Sequence, residues 1–119
     1  MRVSVLVVDD DAGFRTLAAR MLVEQGMAVV GQATTAAETV ELAAALRPDA
    51  VLLDVGLPDG DGVTLARQLA ALPWRPRIVL TSSDRDVTTH ADAVEAGAVG
   101  FVPKDDLPDA ALAALLAGR

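Results

Sequence analysis

The chain has 119 residues, with 10 Lys and Arg against 17 Asp and Glu and a formal net charge of −7. That length supports one domain with a real core rather than two, and the negative balance weighs against direct contact with nucleic acid. No cysteine is present, so disulfides and thiolate metal sites are excluded and an intracellular, cytoplasmic location is the default. The N-terminus is Met1-Arg2, then a short apolar run and three aspartates, which lacks the pattern of a signal peptide. No apolar stretch approaches the roughly 18 to 20 residues that cross a bilayer.

Val3 to Val8 is nearly all aliphatic, as expected of a strand buried on both faces of a parallel sheet. Phe14, Leu17, Ala18, Met21 and Leu22 then fill one face of an amphipathic helix, and Gly26 is placed to end it. A second strand is predicted near Ala28 to Gln32. Thr35 with Glu38 forms a capping-box signature for a helix running to about Leu46, which Arg47 and Pro48 close. Ala50 to Leu53 is the third strand. Val55 to Gly62, with its glycines and a proline, reads as a long shaped loop, and Val63 to about Leu72 as a helix. Pro73 and Pro76 bracket the turn into a fourth strand, Ile78 to Leu80. Asp84 to Ala96 is predicted to be a weakly apolar helix ended by Gly97. Val99 to Val102 is the fifth strand, and Pro108 opens a last helix rich in Ala and Leu.

Five strands alternating with five helices imply a doubly wound, parallel α/β sheet with right-handed crossovers. The commonest small strand order, 2-1-3-4-5, sets the first and third strands side by side. The apolar runs then end in chemistry-bearing residues at one sheet edge: Asp9, Asp10 and Asp11, Asp54, Thr81, and Lys104. Crowded carboxylates repel, so at least one is driven towards its neutral form unless a cation intervenes. Mg2+ suits such oxygen ligands. An ionised aspartate beside it is a candidate nucleophile for phosphoryl transfer, with Thr81 as a hydroxyl donor and Lys104 as a cation for the phosphoryl group. Taken singly, each residue has an ordinary structural reading, and Asp11 is a natural helix N-cap.

The order of Asp9-Asp10, Asp54, Thr81 and Lys104 resembles the receiver domain of two-component response regulators, and the resemblance covers Val3 to Leu116. Asp54 to Gly62 is similar to that family's D-x-x-[LM]-P-x-x-[DN]-G signature. The resemblance implies a flavodoxin-like, CheY-like (βα)5 fold over residues 1–119. It implies that Asp54 accepts a phosphoryl group from a sensor histidine kinase. Asp10, Asp54 and the backbone carbonyl of Gly56 would hold Mg2+, with Asp9 acting through a metal-bound water. Thr81 and Lys104 would contact the phosphoryl oxygens. Thr81 and Phe101 would form the switch, read on the face of the fourth helix, fifth strand and fifth helix, where a phosphorylation-dependent homodimer is also implied. Gly56 and Ser83 sit where the family tunes dephosphorylation. Lys104 is followed by Asp105 rather than proline, and Lys104 to Pro108 resembles the NarL/FixJ branch. There a DNA-binding helix-turn-helix domain follows the receiver, so this chain is expected to be a receiver excised from a transcription regulator. No independent substrate turnover is expected.

The rival reading is an enzyme. Asp9-Asp10-Asp11 at a strand end, with Thr81 and Lys104, also resembles haloacid-dehalogenase phosphatases, with Asp9 as nucleophile and Asp11 as acid/base; it leaves Asp54 without a task. A third reading is a binding module whose acidic pocket is vestigial. His90, the single histidine, reads as an exposed residue of the fourth helix. Trp74 reads as a loop residue over the core edge. Asp59 to Gly62 lacks the alternating oxygen ligands of a calcium loop.

Overall fold

A computed structural model of the chain describes residues 2–107 and 112–118. The elements in order are β1 (Ser4–Val8), α1 (Ala12–Glu24), β2 (Ala28–Ala33), α2 (Ala36–Leu46), β3 (Ala50–Asp54), α3 (Gly62–Ala70), β4 (Arg77–Ser82), α4 (His90–Glu95), β5 (Gly100–Pro103) and α5 (Leu112–Ala117). A 3-10 turn spans Lys104–Asp106. The five strands form one parallel sheet in the order β2-β1-β3-β4-β5, which is the doubly wound, flavodoxin-like arrangement.

Side-chain alternation divides the core between the two faces of the sheet. Leu6, Val8, Val51, Leu53, Ile78 and Leu80 pack on one face against Ala43 of α2, Leu65, Ala66 and Leu69 of α3, and Ala93 of α4. Val5, Val7, Leu52 and Val79 pack on the other against Ala18 and Leu22 of α1 and Leu112 and Leu116 of α5. Successive residues of the central strands are therefore equally buried, which explains their unbroken aliphatic runs. Each large aliphatic side chain removed from water there contributes roughly 1.5–3 kcal/mol.

Local chemistry sets the helix starts. Asp11 caps α1, its Oδ1 accepting from the amides of Gly13 (2.9 Å) and Phe14 (3.4 Å). Thr35 Oγ1 accepts from the Glu38 amide at 3.1 Å, while Glu38 Oε1 reaches back to the Thr34 amide at 2.8 Å, one residue beyond a standard capping box. Asp59 adds a cap that the sequence did not announce. Its carboxylate accepts from Ala36 (2.7 Å) and Ala37 (3.1 Å), across 23 and 22 residues of chain, and these bonds hold its pKa below the usual carboxylate value. Trp74 is half-buried and donates from Nε1 to the Pro48 carbonyl (3.1 Å), with the Arg47 guanidinium 5.1 Å from its ring.

Two expectations change. The segment Val55 to Gly62 is not bare loop, because Gly56–Leu57 pairs antiparallel with Gly60–Asp61. The fourth helix begins at His90, not Asp84. Short polar side chains capture the backbone first: the Asp84 amide donates to Ser82 Oγ (3.1 Å) and the Asp86 amide to Asp84 Oδ1 (2.9 Å), which diverts residues 84–89 into turns. Thr89 then caps the helix through the Asp92 amide. Pro108, the predicted start of the last helix, lies outside the described residues.

Gly62 lies hard against the backbone that follows β3. Its amide donates to the Val55 carbonyl at 2.7 Å, and a Cβ there would collide with the Asp54 carbonyl oxygen and sit 2.6 Å from Val55 Cα. Gly56 has nothing within 4 Å of a virtual Cβ. Gly62→Ala should therefore lower stability by about 1–3 kcal/mol, while Gly56→Ala should stay within about 0.5 kcal/mol of wild type. Urea midpoints of the two variants check this; equal midpoints would contradict the packing described.

Candidate functional site

Strand register carries the site residues to the carboxyl edge of the sheet. Val8 pairs with Leu53, so Asp9 and Asp10 leave β1 beside Asp54 at the end of β3. Asp54 in turn pairs with Thr81 on β4, and Thr81 with Val102 on β5, two residues before Lys104. The Val55 amide donates to the Thr81 carbonyl at 2.9 Å, closing β3 onto β4 at this point. One carboxylate oxygen from each of Asp9, Asp10 and Asp54 lies within 4.8 Å of the others.

The three acids differ in environment. Asp9 is fully buried, Asp54 is 6% exposed, and Asp10 is exposed. Asp9 is clamped on several sides: Oδ1 accepts from the Asp11 amide (2.9 Å), its own amide donates to the Ala33 carbonyl (3.0 Å), and its carbonyl accepts from Arg15 Nη1 (2.7 Å). Its Oδ2 meets the Lys104 ammonium at 2.7 Å. Oδ2 has no other partner, so this contact is an ion pair without the alignment of a directed hydrogen bond. Among the described residues, Thr81 Oγ1 is the other buried side-chain polar atom without a partner. A buried hydroxyl left unpaired costs stability and points to something that completes it.

Burial pushes the Asp54 carboxyl up to about 6 from 3.8, and the Asp9 and Asp10 carboxylates push the same way; the Lys104 ammonium and the Gly56 amide oppose them. Three carboxylates facing one ammonium leave two negative charges unbalanced, which is the charge of one divalent cation. With the oxygen-only donor set and the unpaired Thr81 hydroxyl, the pocket fits a hard metal ion and a phosphoryl group.

Every predicted site residue lies at this edge except as follows. Gly56 follows Asp54 by two residues in the short antiparallel pair with Asp61, and its amide is among the groups that favour the ionised Asp54 carboxylate. Phe101 is half-buried, packed against the core face that holds α3 and α4, on the strand beside Thr81. Asp11, the acid/base of the phosphatase alternative, has its Oδ1 engaged in capping α1. His90 is exposed at the first position of α4, its ring against Gly100. Asp59 and Gly62, which shape the loop after Asp54, were missed as structural determinants; the Asp-Gly spacing of that loop held the signal.

A doubly wound α/β domain with an acidic pocket and one lysine at its carboxyl edge is a phosphoryl- or cation-handling class of fold. The match to known families is narrower. The response regulator receiver domain model matches residues 5–116, and the chain belongs to that family. It is 32% identical over 111 residues to the chemotaxis protein CheY of Bacillus subtilis, covering 93% of this chain and 92% of that one. It is 40% identical over 101 residues to the transcriptional regulatory protein PdtaR of Mycobacterium tuberculosis, covering 84% and 48%. The beryllofluoride-activated receiver domain of Klebsiella pneumoniae RstA superposes with a TM-score of 0.81 at 36% identity, covering 94% of each chain. The chain spans 27% of the length of its protein-glutamate methylesterase relative from Alkalilimnicola ehrlichii. Among the described residues no helix is long and apolar enough to cross a membrane.

The raised value for Asp54 fixes a pH dependence. Below about pH 4 Asp54 is protonated in both the folded and unfolded chain and contributes nothing. Between 3.8 and about 6 the unfolded chain releases this proton first, so stability falls as pH rises, and the full penalty is present above that window. In metal-free buffer, Asp54→Asn should be more stable than wild type at about pH 7.5 and lose that advantage at about pH 4. Urea midpoints at the two pH values check this.

Proposed function

We propose that the chain is a phosphoacceptor domain in which Asp54 takes a phosphoryl group from a phosphohistidine on a sensor histidine kinase. The observation that carries this reading is Asp54 at the end of β3, between the Asp9–Lys104 ion pair and the unpartnered Thr81 hydroxyl. In the transfer, an Asp54 oxygen attacks phosphorus, the phosphorus–nitrogen bond breaks, and its electron pair leaves on the imidazole. Asp10, Asp54 and the Gly56 carbonyl are the groups that would hold Mg2+, with Asp9 bearing on it through water. A bound Mg2+ would supply neutralisation of charge on the phosphoryl oxygens. Lys104 exchanges its Asp9 partner for a phosphoryl oxygen, and Thr81 turns its unpaired Oγ1 to another. Both contacts exist only in the phosphorylated arrangement, so they shift a two-state equilibrium.

Thr81 and Phe101 form the switch. Val87 and Val94 are 43% and 48% exposed near α4, and Ala93 is the one buried residue within α4 itself, so this element is weakly anchored and suited to move. The face of α4, β5 and α5 is the output surface and the site of a phosphorylation-dependent homodimer. Its role in this reading is control of a DNA-binding helix-turn-helix domain in a cytoplasmic transcription regulator of the NarL/FixJ branch. The Asp105 that follows Lys104 supports that branch, and the likeness to PdtaR, a transcriptional regulatory protein, supports a role in transcription. The domain itself has no independent substrate turnover.

Incubation with Mg2+ and acetyl phosphate should place one phosphoryl adduct on Asp54, read by mass spectrometry, and Asp54→Ala should abolish it. Turnover of phosphate esters dependent on Asp9 and Asp11 would support the phosphatase instead, and failure to bind Mg2+ or take label would support a vestigial module. Size-exclusion with Mg2+ and beryllofluoride should bring the protein out earlier; an unchanged elution volume counts against the dimer.

A further inference from the structure

Lys104 is held by more than its acidic partner. Its Nζ is 2.7 Å from Asp9 Oδ2 and 4.2 Å from the centroid of the Phe14 ring, and its side chain is 16% exposed. Phe14 comes from the first turn of α1, where its amide is bonded by Asp11 Oδ1, and the Asp11 amide is itself bonded to Asp9 Oδ1. The contacts close into a ring: Asp9 to Asp11, Asp11 to Phe14, Phe14 to Lys104, and Lys104 back to Asp9. Phe14 and Lys104 also share a groove of about 270 Å³ with Leu17, Met21 and Leu107.

A lysine head group is strongly hydrated and sits on a flexible four-carbon stem. Paired on one side only, it swings out to water readily. An aromatic face within about 6 Å attracts an ammonium through the ring quadrupole, and more strongly as water is excluded. That attraction does not depend on which oxygen the ammonium pairs with. The ring can therefore keep hold of Lys104 while the anionic partner changes from Asp9 to a phosphoryl oxygen.

We infer that Phe14 is a positioning residue for Lys104, whose ring closes the solvent side of the ammonium and keeps it aimed into the acidic pocket. This rests on the phosphoacceptor reading of Asp54. Phe14 does not touch the phosphoryl group; it acts through Lys104, raising the rate at which Asp54 is labelled and the affinity for a phosphoryl mimic.

Phe14→Leu keeps an apolar side chain in the groove and removes the quadrupole, whereas Phe14→Tyr retains it. Four readings separate positioning from bulk structure: the rate of Asp54 labelling by acetyl phosphate, beryllofluoride affinity, Mg2+ affinity, and acylation of Lys104 by a water-soluble acetylating reagent followed by mass spectrometry. Phe14→Leu should slow labelling and weaken beryllofluoride binding by about 3- to 30-fold, speed acylation of Lys104, and leave Mg2+ affinity unchanged. Phe14→Tyr should match wild type in all four. Wild-type labelling and acylation in Phe14→Leu overturn the inference, as does equal slowing in Phe14→Leu and Phe14→Tyr. If Phe14→Leu fails to fold, Phe14→Met carries the same comparison. If the wild-type protein takes no label, the phosphoacceptor reading fails separately. The acylation comparison still decides the role of the ring, and equal acylation in wild type and variant overturns it.

Discussion

Three carboxylates meet one ammonium at the carboxyl edge of the sheet, and the rest of the structure is arranged around that imbalance. Asp9 is fully buried and held by the Asp11 amide and the Lys104 ammonium. Asp54 lies beside it with its carboxyl raised to about 6 by burial and by its acidic neighbours. A folded chain tolerates such a pocket because the surrounding layers are apolar and well packed. Leu6, Leu52, Leu53, Ile78 and Leu80 are all fully buried within a few residues of it. The stability lost at the site is offset by the core on both faces of β1, β3 and β4.

The same imbalance makes the pocket responsive. A site already neutral would gain little from a cation or a phosphoryl group. Here two charges remain uncompensated, and a buried hydroxyl on Thr81 lacks a partner. In the proposed function, ligands that repair both would favour the arrangement in which Thr81 and Lys104 reach them, which is the thermodynamic content of a switch. The neighbouring segments are held by local polar contacts. Residues 84–89 lie in turns held by the Ser82 and Asp84 side chains, and Arg85 forms a forked ion pair with Asp106. Both partners are substantially exposed, so the pair is weak enough to break.

The sequence by itself determined the fold class, because alternating aliphatic runs and amphipathic segments leave few topologies for a chain of this length. It also determined which residues crowd the sheet edge, since Asp9 and Lys104 directly follow strands, Asp54 ends one and Thr81 is the last residue but one of another. Caps written in adjacent residues, Asp11 and Thr35, were equally legible. What only the tertiary structure decided are contacts between distant segments. Asp59 capping α2, the collision space at Gly62 and the Phe14 ring over Lys104 each join parts of the chain that no local pattern links. The start of α4 belongs with them. Helical periodicity ran back to Asp84, but the Ser82 and Asp84 side chains offered the amides of Asp84 and Asp86 closer partners, and a short side chain that hydrogen-bonds its neighbours' amides outcompetes a helix with little apolar surface to bury.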